Sequence, residues 1–193
     1  SLKENIQAEA ALWLAVCHQE LGNFETLKQN IRKLKDDLYL TLEQEGRLFE
    51  IEAELAISEN DLEEARIQLL KSLESNKNNY KKARINFILG QISLEQKNDK
   101  NAIKHFQQVI KKNPNYELVF NSKLNQTKAT NLTNRGFEKI KTELQKMLKD
   151  KKNNEYKDQI YFALANLDLK NRDTTTAKTH LSLSAALASF NIP

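Results

Sequence analysis

The sequence predicts an all-α protein built from repeated helix pairs. Helix-favouring residues dominate the 193-residue chain, which contains only 4 Gly and 2 Pro. Strands, hairpins and glycine-rich phosphate loops usually need more of these two residues. In addition, a spacing of 12 and then 4 residues recurs along the chain, from one small residue to another and on to a large apolar one. Such a repeat is typical of a helical solenoid, in which each helix pair stacks on the next.

Five copies of this spacing can be aligned. They are Ala15, Leu27 and Ile31; Ala53, Ala65 and Leu69; Gly90, Ala102 and Phe106; Leu124, Gly136 and Ile140; and Ala165, Ala177 and Leu181. Small side chains let two helix backbones approach, and the large apolar residue fills the seam beside them. We therefore expect one solenoid domain over residues 1–193, with five helix pairs at about 8–40, 46–77, 80–114, 117–150 and 155–190. The small residues Ala15, Ala53, Gly90, Ala102, Ala165 and Ala177 should be buried where helices cross.

The third copy carries the clearest motif. Its Phe87-Ile88-Leu89-Gly90-Gln91 run, followed by Ala102, Phe106 and Pro114, resembles the tetratricopeptide repeat (TPR), whose period is about 34 residues. This resemblance implies a right-handed TPR-type α-solenoid of about five helix pairs. It also implies a scaffold that binds other proteins and has no catalytic site of its own.

Short polar segments mark the turns between helices. Gly22-Asn23, Glu59-Asn60-Asp61, Lys97-Asn98-Asp99 and Asn171-Arg172-Asp173 each end one helix and offer an Asn or Asp to cap the next. The longer polar segment at residues 150–154 is the best candidate for a mobile joint or a break between sub-solenoids.

Charge is distributed unevenly along the chain. Residues 1–96 contain 12 Lys and Arg against 17 Asp and Glu, whereas residues 97–160 contain 15 against 7. This gradient either steers an oppositely charged partner or reflects solvated helix faces rich in Lys. Nucleic acid is not the expected partner, because the Lys residues fall on several helix faces and aromatic stacking residues are not interleaved with them.

Residues suited to catalysis or metal binding are sparse. The three His residues are far apart in sequence, and none has a second ligand at metal-site spacing. Cys17 is expected to be a buried small hydrophobe. No phosphate-binding, nucleophile-elbow or zinc-protease motif occurs. We therefore predict no enzyme activity, no cofactor, no metal, no small-molecule substrate and, for lack of a long apolar run, no membrane span.

A candidate partner-binding groove follows from the repeat register. The first helix of each pair lines the inner surface of a TPR solenoid, and the polar and aromatic residues expected there include Arg84, Phe87, Gln91, Asn121, Asn125, Lys128 and Asn166. Amide side chains can bond an extended peptide backbone, and Asn121 and Asn125 share one helix face. We expect Asn121, Asn125 and Lys128 to be exposed. The alternative interpretation is that all these residues are ordinary surface polar groups.

A second resemblance is more specific. Residues 80–91 open the third repeat with Tyr80-Lys81-Lys82 and Phe87, and residues 113–125 open the fourth with Asn113-Pro114-Asn115-Tyr116-Glu117 and Phe120-Asn121. Over about residues 78–130 the chain resembles the TPR lipoproteins of gliding motility and type IX secretion in Bacteroidetes, the SprE/PorW family. The resemblance implies a fragment of a longer protein, lipid-anchored at the periplasmic face of the outer membrane, with secretion and motility components as partners. The alternative is an intracellular TPR adaptor, in the cytoplasm, that binds a peptide or a signalling partner.

Overall fold

The computed structural model describes residues 2–37, 39–129 and 134–190. These residues form ten α-helices and one short 3₁₀ helix, and no strand occurs among them. The α-helices are α1 Leu2–Glu20, α2 Phe24–Asp37, α3 Leu42–Ser58, α4 Leu62–Ser75, α5 Asn79–Glu95, α6 Asp99–Lys112, α7 Tyr116–Gln126, α8 Asn134–Lys149, α9 Lys157–Lys170 and α10 Thr174–Phe190. The expectation of an all-α chain is confirmed.

The chain groups into two compact units, Ser1–Leu89 and Gly90–Pro193. In the N-terminal unit, α1 packs on α2 and α3 on α4, while α1 also contacts α3. In the C-terminal unit, contacts run from α6 to α7, α7 to α8, α8 to α9 and α9 to α10. The expectation that residues 1–193 fold as one domain stays a prediction.

Each unit has an apolar core, to which the repeat positions contribute Ala15, Leu27 and Ile31 in the N-terminal unit and Ile140 in the C-terminal unit. Leu12, Ala15, Leu27, Ile31, Leu34, Leu48, Ile51 and Leu55 form the core cluster of the N-terminal unit. Phe120, Phe137, Ile140, Leu144, Met147, Ile160, Ala163, Leu164 and Leu167 form that of the C-terminal unit. All six small residues expected at helix crossings are buried, which confirms the register: Ala15, Ala53, Gly90, Ala102, Ala165 and Ala177.

In two copies, residues at the repeat positions are less buried than expected. In the fourth, Leu124 and Gly136 are only partly buried, because α7 ends at Gln126, after 11 residues. In the fifth, Leu181 is 38% exposed, since it lies on α10, the last helix that the structure describes. The 12-and-4 spacing therefore predicts burial at all three positions only in the first three copies.

Four helix pairs share one turn geometry. The second residue after each first helix is left-handed, with φ of 70° at Gly22, 61° at Asn60, 56° at Lys97 and 61° at Arg172. The N–H of the following residue then donates to the carbonyl five residues earlier, at 2.7–2.9 Å, as in Asn98 N to Ser93 O and Asp173 N to Asp168 O. This is the Schellman motif. Its last residue is at the same time the N-cap position of the next helix.

The capping side chains confirm the role predicted for three of the four turns. The backbone N–H groups of Glu64, Asn101 and Thr176 donate to Asp61 Oδ1, Asn98 Oδ1 and Asp173 Oδ1 respectively. Asn115, directly after Pro114, caps α7 in the same way through Leu118 N. Each such cap contributes about 1 kcal/mol to the stability of its helix.

The polar segment after α8 is ordered by its own contacts. Lys151–Tyr156 forms the 3₁₀ helix, which packs against α8 and α9. Asn153 is buried, and its Nδ2 donates to Met147 O at 2.7 Å. One buried amide thus ties the segment to the end of α8, and the boundary between the two compact units lies at Leu89 and Gly90. The expectation of a break here is therefore wrong, and that of a mobile joint stays a prediction.

Gly90 lies directly against the Phe106 ring. A Cβ added to Gly90 would come within 2.6 Å of Phe106 Cε1 and 2.8 Å of Cζ. Phe106 is fully buried, so its ring has little room to withdraw. The pair explains why the third copy has Gly on α5 opposite the largest seam residue of the five copies.

We expect the Gly90→Ala variant to be less stable by about 1 kcal/mol or more, because overpacking outweighs the gain in helix propensity. Urea unfolding measures the difference. The loss of unfolding free energy caused by Phe106→Leu should be smaller in the Gly90→Ala chain than in the parent chain, because the smaller side chain relieves the clash with the added methyl group. A Gly90→Ala chain more stable than the parent would contradict this packing.

Candidate partner-binding groove

Four of the seven predicted groove residues line one groove in the C-terminal unit. Asn121 and Asn125 lie on α7, Lys128 lies just beyond its end, and Asn166 lies on α9. The groove encloses about 400 Å³. Its other lining residues are Leu124, Thr127, Asp158, Gln159, Phe162, Ala163 and Ser184.

Helical periodicity brings the α7 residues to this face. Asn121 and Asn125 are one turn apart, and Asn125 Nδ2 donates to Asn121 O at 2.9 Å. Both are half-buried, whereas Lys128 is exposed. The expectation that all three are exposed is therefore wrong for the two asparagines, because the groove itself covers part of their surface.

Lys170 fixes the segment that carries Lys128. Its Nζ donates to Thr127 O at 2.6 Å and to Ala129 O at 2.7 Å, the two carbonyls that flank Lys128. Burial lowers the pKa of the Lys170 ammonium, and the charge of Asp99 offsets part of that effect. These bonds anchor the chain after α7 to the end of α9.

The α9 side of the groove combines an aromatic ring with a carboxylate. Phe162 is 54% exposed, which is unusual for a Phe in a helical core protein. Asp158 Oδ1 is buried and has no hydrogen-bond partner among the described residues, while the Asp158 carbonyl accepts from Ser184 Oγ at 2.8 Å. Sequence reasoning missed Asp158, Gln159 and Ser184. Asp158 could have been noticed as an acidic residue in the first turn of α9. Acidic residues are common there because they interact favourably with the helix dipole, so this position alone does not indicate a binding site.

The remaining three predicted residues lie elsewhere. Arg84 and Phe87 belong to the N-terminal unit, and Gln91 lies on the C-terminal side of the boundary but outside the groove. Arg84 and Gln91 are exposed, and Phe87 is half-buried. Four of the seven residues therefore line this groove, and the binding role of each of the seven stays a prediction.

Arg84 lies in the electrostatic environment of Glu54. Burial raises the pKa of the Glu54 carboxyl, the neighbouring Glu50 and Glu20 raise it further, and a hydrogen bond from Gln19 and the charge of Arg84 act against them. α1, α3 and α5 thus present a joint polar surface in the N-terminal unit. The three carboxylates outnumber the one guanidinium, so the net charge of these residues is negative.

Among the residues that the structure describes, no group of three or more His, Cys, Asp or Glu side chains is arranged to hold a metal ion. Cys17 is exposed, so the expectation of a buried small hydrophobe is wrong. Leu12 and Ala15 lie on the face of α1 that packs in the core, whereas Cys17, two residues after Ala15, lies on a different face of the helix. None of the described helices combines the length and apolar character needed to cross a bilayer.

Comparison with solved structures identifies the fold. A structure titled "MamA MSR-1 C2" is similar to this chain with a TM-score of 0.65 and 16% sequence identity, and the alignment covers 97% of this chain and 100% of that one. At this identity the likeness shows the fold alone, an all-α repeat solenoid. The search of curated proteins gives no significant match.

Comparison with protein families identifies the repeat type. Residues 1–109, more than half of the chain, match the family described as "Tetratricopeptide repeat protein 21 ARM repeat". The match supports a TPR-type repeat protein, as the third copy predicted, but it does not support the SprE/PorW family. Repeat families of this kind suggest a scaffold for protein–protein interaction and are typically non-catalytic. The chain belongs to the tetratricopeptide repeat protein 21 ARM-repeat family.

Proposed function

We propose that this protein is a scaffold that holds an extended segment of a partner protein in the groove between α7 and α9. The observation that carries the proposal is the convergence of Asn121, Asn125, Lys128 and Asn166 on that one groove. These three amides and one cation come from two different repeats of the sequence, and all four line the same groove.

The chemistry of the groove suits a peptide backbone. An amide side chain both donates and accepts, so it can bond a backbone carbonyl or N–H without selecting for charge. Asp158 adds a carboxylate to the lining, and a carboxylate accepts hydrogen bonds from backbone N–H groups. Phe162 offers an exposed apolar surface for one side chain of the segment.

We expect the Asn121→Ala/Asn125→Ala/Lys128→Ala variant to lose its partner while remaining folded. None of the three side chains belongs to the core cluster of the unit. The measurement is quantitative mass spectrometry of proteins crosslinked to the full-length protein in its native host, together with the circular dichroism melt of the variant.

The matched control is Asn154→Ala/Gln145→Ala/Lys178→Ala, which removes two amides and one lysine at exposed positions outside the groove. This control should crosslink like the parent chain. A folded groove variant with the same crosslinked proteins as the parent would end the groove proposal.

We further propose a cellular setting for this scaffold: type IX secretion and gliding motility, at the periplasmic face of the outer membrane, through a lipid anchor outside residues 1–193. The support is the resemblance over residues 78–130. The full-length reading frame and cell fractionation test it. An amino-terminal lipobox cysteine with outer-membrane fractionation is the expected result. A precursor without a lipobox that fractionates with the cytoplasm would instead favour an intracellular TPR adaptor.

A further inference from the structure

We propose that the C-terminal unit has a second docking surface, on α6, α7 and α8, that binds an acidic amphipathic helix of a partner protein. This basic groove is lined by Gln107, Ile110, Lys111, Lys123, Gln126, Lys139, Ile140, Glu143 and Leu144. It shares no lining residue with the groove between α7 and α9. The inference is therefore independent of the function proposed above.

The floor of the basic groove is apolar. Its accessible surface comes from Ile110, which is half-buried, and from Ile140, which is 7% exposed, and Leu144 lies fully buried beneath them. The space above this floor is about 360 Å³. A space of that size admits two or three large apolar side chains from one face of a helix.

The rim of the basic groove is cationic. Lys111 and Lys139 are exposed on opposite helices, α6 and α8. The one carboxylate in the lining, Glu143, is already matched, because Lys123 Nζ lies 3.4 Å from its Oε2 and Lys146 Nζ lies 3.3 Å from its Oε1. Lys111 and Lys139 consequently add positive charge that no carboxylate of the lining neutralises.

Charge complementarity fixes the kind of occupant. An apolar floor between lysines matches a helix whose apolar side chains are flanked by Asp or Glu, and the lysine stems extend the apolar surface at the edge. The surrounding residues 97–160 contain 15 Lys and Arg against 7 Asp and Glu, which steers an acidic partner towards this unit. Single-stranded nucleic acid fits the lining less well, because no aromatic ring is present among the lining residues to stack on a base.

The experiment measures binding of defined probes to the full chain by fluorescence anisotropy. The first probe is a fluorescein-labelled helical peptide of about four turns with Leu on one face and Glu on the flanks. The second replaces each Glu by Lys, and the third replaces each Leu by Ser. We expect the first probe to bind at least about tenfold more tightly than either of the others, and more weakly as salt is raised.

Variants locate the binding. Lys111→Ser/Lys139→Ser should weaken binding of the first probe by about tenfold, whereas Lys152→Ser/Lys178→Ser, with the same charge change at exposed positions outside the groove, should not. Ile110→Ser should weaken binding with no change in charge. Circular dichroism of each variant establishes that it is folded.

Four results would overturn the proposal. The first is no binding of the acidic peptide at millimolar concentration, and the second is equal weakening by both lysine pairs. The third is an oligo(dT) probe that binds more tightly than the peptide and displaces it, which would identify a nucleic-acid surface. The fourth is a dimer in sedimentation experiments that Lys111→Ser/Lys139→Ser disperses, which would make the occupant a second copy of this chain.

Discussion

The Phe106→Ala variant should lose about 3–5 kcal/mol of the free energy of unfolding. Phe106 is the largest of the fully buried side chains, and its ring lies against Gly90 of α5. Since Gly90 has no side chain that could move into the vacated space, the cavity can close only if α5 and α6 shift together. Urea or guanidinium unfolding monitored by circular dichroism measures the loss.

The same substitution at an exposed ring provides the control. Phe162 is 54% exposed, so Phe162→Ala should cost less than about 1 kcal/mol. If Phe106→Ala and Phe162→Ala unfold at the same denaturant concentration, Phe106 does not fill the seam of the third helix pair.

Asp168→Ala should be the second most damaging change, with a cost of about 2–4 kcal/mol. Asp168 is fully buried on α9, and each carboxylate oxygen has a partner. Oδ1 lies 2.9 Å from Lys141 Nζ of α8, and Oδ2 lies 2.6 Å from His180 Nδ1 of α10. One carboxylate therefore ties three helices together, and its removal leaves two donors facing a cavity. Lys141 retains some contact with water, which keeps the cost below that of a fully buried pair.

A double-mutant cycle isolates the contribution of the carboxylate. Asp168→Asn and Lys141→Met, alone and combined, are compared by guanidinium unfolding. We expect the two changes to be non-additive by at least about 1 kcal/mol, because the first removes the partner of the second. An Asp168→Ala chain within about 0.5 kcal/mol of the parent would show that the carboxylate has no role in stability. An additive cycle would show that Asp168 is not coupled to Lys141.

The sequence predicts the helix pairs well because the interactions that define them are local. A small residue and a large one at fixed spacing are enough to identify a close helix crossing, as at Gly90 and Phe106. The capping of α4, α6 and α10 is equally local, since an Asn or Asp and an N–H three residues later decide it. These features require no knowledge of distant parts of the chain.

What the sequence does not predict depends on distant partners. From the sequence, Asn153 is one of several polar linker residues, and only the folded chain brings the Met147 carbonyl at the end of α8 to its amide. From the sequence, Asp168 is an ordinary residue of α9, and only the packing of α8 and α10 brings Lys141 and His180 to its carboxylate. The same distinction holds for the groove between α7 and α9. Periodicity places Asn121 and Asn125 on one face, whereas Asp158 and Ser184 enter it only through the packing of α9 and α10.

The shared Schellman turn limits where the chain can change length. Because the residue that ends the turn is also the cap of the next helix, the two helices of such a pair are joined without a spare residue. A single inserted residue would rotate the second helix by about 100° and turn its apolar face away from the first. None of the described joints between pairs has this Schellman turn. The first members of successive copies are 34 to 41 residues apart, while the spacing within each copy stays at 12. Length variation among relatives, and any tag or loop grafted into this protein, should therefore be tolerated at the joints between pairs and rejected inside the four pairs that share the turn.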